Sequence, residues 1–278
     1  MSVPAARPNP PVWAFLLLTF LLSLPFYVLG AFAARASISL PFGLPVSALM
    51  FVAPGLAAAI LVHREEGRAG VRRLLARVGD ARRIRSRWWL APVFLLLPLI
   101  YAGTYVAMRV AGIDLPGLAA PLVAVPLLFA IYFIAAAGEE LGWTAYALPR
   151  WTSAGSALGV GLVLGLAWAL IHVIPDIQAG RSAAWLLSQR SFTVVLRVLI
   201  VWIYANTGKS VFAATSFHAM DNVSFSMFPE YDGFARPAIT AAMTALCVAG
   251  VTIVWGAETL RGRSPATPRR TEVNPAHD

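Results

Sequence analysis

Charge is what this sequence has least of. Only 13% of its 278 residues are charged, against about 25% in an ordinary soluble domain. Lysine occurs once, at Lys209, so the 22 basic residues are otherwise arginine. The lone cysteine, Cys247, excludes an internal disulfide and a cysteine-based zinc site; set in an apolar run, it reads as a buried structural thiol. No internal repeat is visible, which argues against the duplicated architecture of many secondary transporters. No HExxH pattern is present, so the usual helical zinc-protease signature is missing too.

What fills the space is apolar. The chain is 59% hydrophobic with a mean hydropathy of +0.71, and several stretches exceed the roughly 18 apolar residues of a membrane span. The sequence predicts an all-α, polytopic membrane protein with about eight transmembrane helices, near 12–33, 42–62, 88–110, 120–148, 156–175, 190–207, 209–228 and 237–256. Arg7 before the first apolar run gives it a superficial likeness to a signal peptide. Its length and the spans behind it make it a retained first span instead. Residues 1–257 read as one transmembrane domain, and 258–278 as a basic, disordered cytoplasmic tail.

The net charge of +9 is concentrated between spans rather than spread over a surface. Residues 63–87 carry nine arginines against three acids, and the tail adds Arg261, Arg263, Arg269 and Arg270. Short arginine-rich segments stay cytoplasmic, which places both termini inside a cell membrane and brings these loops to anionic headgroups. No aromatic platform accompanies the basic runs, so nucleic acid is excluded as a partner.

An ionised side chain at the centre of a membrane helix costs about 2.5–3.5 kcal/mol, so intramembrane polar groups point to function. Most acids and histidines fall in loops. The exceptions are Glu139 and Glu140, His172 with nearby Asp176, and His218 with Asp221 and Asn222; Arg197 is the one cation placed well inside a span. At helical spacing, Glu139 and Trp143 share a face, as do Trp168 and His172, and His218 and Asn222. Left unpaired in lipid, four or more such groups would cost on the order of 10 kcal/mol. A shared polar intramembrane cavity, suited to activating water, accounts for all of them.

The segments EELGWTAYALPR, WALIH and SFHAMDN resemble the three motifs of the CAAX protease and bacteriocin-processing family, also called type II CAAX prenyl endopeptidase-like or Abi proteins. The motif-bearing core runs from about 120 to 228. The resemblance implies an intramembrane endopeptidase in which Glu139 activates water with help from His218. His172 and Asn222 would stabilise the oxyanion, and Glu140 would support the site. It implies a peptide or protein substrate at the membrane, and fixes neither a prenyl group on it nor the oligomeric state. No cofactor is expected, although Glu139, His172 and His218 together match a two-histidine, one-carboxylate zinc set. The arginine-rich, almost lysine-free composition resembles that of proteins from high-GC bacteria, and a bacterial source is the expectation.

Two positions depart from the motifs. Trp168 stands where a Phe is usual, and Thr144 stands where an Arg is expected. Arg197, from the sixth span, is the candidate source of the missing positive charge. The Thr144 departure keeps open a non-proteolytic scaffold or immunity-type protein on the same fold. A secondary transporter is the third class, since intramembrane Glu and His also mark proton paths.

Overall fold

A computed structural model describes residues 12–40, 44–152, 155–228, 233 and 235–261. The long helices are α1 (Val12–Arg35), α2 (Ala53–Ala76), α3 (Leu90–Val110), α4 (Val125–Glu140), α6 (Ala157–Gln178), α7 (Ala183–Asn206), α8 (Val211–Met227) and α9 (Ala235–Trp255). A π-helical turn, Leu141–Ala147, continues α4 into the short α5 (Leu148–Trp151). No strand occurs among the described residues. The acidic segment 229–232 and the tail from 262 onward lie outside them.

Seven helical stretches among the described residues are long and apolar enough to cross a membrane. The eighth, α8, falls short because it has 17 residues and carries polar groups. Those residues are sheltered: thirteen of its side chains, His218 and Asp221 among them, are buried. The outer helices show the opposite pattern. Leu17, Val28 and Phe32 on α1, Leu127 and Ile134 on α4, and Leu246 and Ile253 on α9 are exposed, as a lipid-facing surface requires. The chain is therefore a polytopic helical protein with a polar helix at its centre.

Two expected boundaries are corrected. Residues 63–87 are not a loop: α2 runs on to Ala76 across a kink at Gly67 (φ 67°), followed by short 3₁₀ turns. Glu65 on this extension takes hydrogen bonds from Arg150 (2.6 Å) and the Tyr146 hydroxyl (2.9 Å), tying it to the end of the α4–α5 rod. The sixth span starts seven residues early, at Ala183, because Ser182 caps it by accepting from Trp185 N. Arg190 is thereby drawn two turns inside a helix.

Glycines set how closely the helices approach. A Cβ on Gly138 would lie 3.0 Å from the Phe51 carbonyl oxygen, and one on Gly142 would meet the Pro54 carbonyl at 2.5 Å. These two glycines bracket Glu139 and Glu140, so the start of α2 packs directly against the helix that bears the acids. Gly165 does the same for α6 and α7, where a Cβ would come within 2.7 Å of the Val194 carbonyl. The first span is integrated with the rest: the Tyr27 hydroxyl donates to Ile171 O (2.6 Å), and Gln178 Nε2 donates to Tyr27 O (2.8 Å).

Candidate active site

Glu140 ends α4 with 0% exposure. Its carboxylate is fully engaged. Arg197 Nη1 donates to both oxygens, at 2.9 and 2.7 Å, and His218 Nδ1 donates to Oε1 at 2.9 Å. The Thr144 hydroxyl donates to Oε2 from one turn ahead. The positive charge missing from position 144 is thus supplied by α7, and Thr144 adds a hydrogen bond. A π-helical turn often marks a functional site; here it carries Thr144 back onto the acid that precedes it.

Glu139 is held differently. Its Oε2 accepts from the Trp168 indole N–H, while Oε1 has no partner among the described residues, and the side chain keeps 7% exposure. Trp168 is the hub of the cluster. Its ring lies 5.7 Å from the His172 ring and 4.9 Å from the His218 ring, both edge-on, with the Arg197 guanidinium 4.1 Å over its face. The Trp-for-Phe exchange therefore gives this position a polar role. An indole offers an N–H where a phenyl ring offers none.

The imidazoles are oriented by their Nδ1 atoms. His172 Nδ1 lies 2.8 Å from the Trp168 carbonyl oxygen, which can only accept, so Nδ1 carries the proton. Glu140, ionised against Arg197, imposes the same tautomer on a neutral His218. A neutral ring held in this way directs its Nε2 lone pair elsewhere, and neither Nε2 has a partner among the described residues. Trp168 on α6 thereby contacts both Glu139 of α4 and His218 of α8.

Asn222 lies one turn beyond His218 on α8, half-buried, with no hydrogen-bond partner among the described residues. Nothing in the structure ties it to the cluster. Asp221 turns instead toward α3, where the Tyr101 hydroxyl donates to its Oδ1 at 3.1 Å. Trp143, expected to share a face with Glu139, packs edge-on against Phe15 of α1 at 5.3 Å.

Two cations escaped the sequence reading. Arg190 Nε sits 3.1 Å from Asp176 Oδ2 on α6. Arg236, 7% exposed at the start of α9, donates to the carbonyls of Phe228 and Phe225 at the end of α8. Both lie where a helix was expected to begin later, so each was counted at a boundary. The Ser182 cap could have revealed the first.

The zinc set can be tested against this geometry. No group of three His, Cys, Asp or Glu side chains among the described residues is placed to hold a metal ion. Glu139, His172 and His218 therefore do not form a preassembled three-ligand site.

Residues 121–224 match the family model described as Type II CAAX prenyl endopeptidase Rce1-like. This stretch contains all three motifs and bears out the resemblance they carry. It begins just before α4 and ends within α8, leaving α1–α3 and α9 outside the match. No curated protein matches the chain.

Proposed function

We propose that this chain is an intramembrane endopeptidase acting on a peptide or protein substrate at the membrane, with Glu139 as its general base. One observation carries the reading: Trp168 joins a half-free carboxylate to two oriented imidazoles inside a helical bundle. Glu139 Oε1 takes a proton from water as the water oxygen attacks the scissile carbonyl carbon. The resulting oxyanion collapses, the C–N bond breaks, and Glu139 returns the proton to the leaving amine.

The tautomers refine the other roles. A neutral His172 with its Nδ1 proton committed to Trp168 offers a lone pair, not a donor, so it orients water. Asn222, whose carboxamide is uncommitted, is the donor left for the oxyanion. His218, backed by Glu140, accepts the second water hydrogen. Glu140 is a positioning residue, since it is sealed from substrate by its own partners. No cofactor enters this scheme, and the arginine-rich segments support a reading with both termini on the cytoplasmic side of a bacterial cell membrane.

The test is a comparison of membrane-protein termini in cells carrying the wild type or Glu139→Ala. New N-termini that depend on Glu139 support the reading. Identical termini, with both proteins inserted at equal levels, overturn it. The scaffold alternative rests on Thr144 alone, and Arg197 meets the need that position creates.

A further inference from the structure

The arginine-rich end of the bundle contains a cavity of about 490 Å³ lined by Arg82, Arg83, Arg85, Gly208, Lys209 and Arg261. Five of its six lining residues are cations. Like charges around one space repel unless something neutralises them, so their carboxylate partners need to be accounted for.

Asp80 is the acid beside this space, and it is already committed. Its Oδ1 accepts from the Ser210 hydroxyl (2.9 Å) and from Phe212 N (3.0 Å), capping α8; its Oδ2 accepts from Arg77 Nε at 2.8 Å. Arg83 reaches Asp80 only at 3.3 Å. Glu258 lines an adjoining cavity of about 220 Å³ with Lys209 and Arg261 but forms no ion pair with either. Arg82, Arg85, Lys209 and Arg261 thus have no carboxylate partner among the described residues.

The walls are fixed by the backbone. Arg77 Nη2 donates to Lys209 O at 2.6 Å, and Arg261 Nε donates to Ala205 O at 2.8 Å. A Cβ on Gly208, whose φ is +67°, would lie 2.4 Å from the Arg83 carbonyl oxygen, so the α7–α8 loop is seated on the 81–83 turn. Lys209 itself has a φ of 60°, a left-handed conformation, and lines this corner. The backbone that carries these exposed cations is therefore positioned before any ligand arrives.

We propose that this cavity binds a phosphate-bearing anion, drawn from an anionic phospholipid headgroup or from free polyphosphate. Guanidinium forks match phosphate oxygens, and several of them around one space require more than a single negative charge. The level also fits, because Trp88, 86% exposed, and Leu90 at the start of α3 mark the apolar–aqueous boundary beside it.

Native mass spectrometry of the full chain, offered phosphatidic acid and phosphatidylcholine together, reads the lipid arm. Titration of inorganic pyrophosphate into the protein in phosphatidylcholine nanodiscs, followed by thermal unfolding, reads the soluble arm. The variant is Arg82→Gln/Arg85→Gln/Lys209→Asn, since Asn tolerates the left-handed backbone. Each charge removed is expected to weaken binding about fivefold, so the triple variant loses on the order of 100-fold. Selective phosphatidic acid retention assigns the site to lipid; pyrophosphate stabilisation with the same sensitivity assigns it to free phosphate. If the triple variant fails to fold in phosphatidylcholine, Arg85→Gln alone carries the test, because exposed Arg85 has no hydrogen bond or ion pair among the described residues that it would break. Binding that is equal for wild type and variant, or absent in both arms, overturns the proposal.

Discussion

Glu139 and Glu140 are neighbours in the chain, and both are withdrawn from solvent, yet their carboxylates end in different company. Glu140 is closed in by Arg197, His218 and Thr144 from three helical segments, with no oxygen to spare. Glu139 is held by one indole and keeps an oxygen open. One acid is saturated with partners, and the other keeps the free oxygen that the proposed general base requires. A buried carboxylate with its charge matched costs little to keep, but a matched carboxylate is a poor base because its lone pairs are occupied.

That contrast can be broken most forcefully from the saturated side. Arg197→Met leaves Glu140 charged and uncompensated in the interior, and the loss expected is about 3–5 kcal/mol. Thermal unfolding in lipid nanodiscs should show a collapse of folded protein, largely rescued by adding Glu140→Gln to remove the stranded charge. A folded, fully active Arg197→Met protein would sever the link between the two halves.

Thr144→Val is the next test down. It keeps the shape and removes one hydrogen bond to a charged acceptor, for an expected loss of about 1.5–3 kcal/mol. Thr144→Val should therefore lower the unfolding temperature measurably while leaving the pattern of cleaved substrates unchanged. A Thr144 variant with altered cleavage sites would place this residue in the substrate path instead.

Trp168→Phe restores the usual motif residue and probes the open side. The ring contacts with both imidazoles survive, but Glu139 loses its one donor. Stability should fall by about 1–3 kcal/mol, while turnover drops about tenfold as the carboxylate swings free. Unchanged turnover would mean that the indole N–H does not position Glu139.

Much of this was legible from residue types alone. The cost of charge in lipid singled out Glu139, Glu140, His172 and His218, and Arg197 was the one cation placed to meet them. Gly161 and Gly165, in the span that carries the second motif, suit close helix packing, and both do approach α7. What stayed hidden depended on helix ends and side-chain direction. The SAAWLLSQR segment is too polar to look like a membrane span, so α7 appeared to begin at Arg190 rather than before it. The extension of α2 was masked by its arginines, which read as a loop although Glu65 anchors it. Trp168 looked like a hydrophobic substitute because periodicity reports which face a residue occupies, not where its N–H points.

The smallest stability effect belongs to the residue expected to matter most for chemistry. Glu139→Gln keeps an acceptor for Trp168 and removes a charge beside Glu140, so stability should stay within about 0.5 kcal/mol of wild type. Cleavage should fall by about 10²–10⁴-fold. Profiling of membrane-protein termini alongside unfolding of the same Glu139→Gln protein tests the account most directly. It predicts a folded protein from which the wild-type-dependent termini disappear; a folded Glu139→Gln protein that still generates them would contradict it.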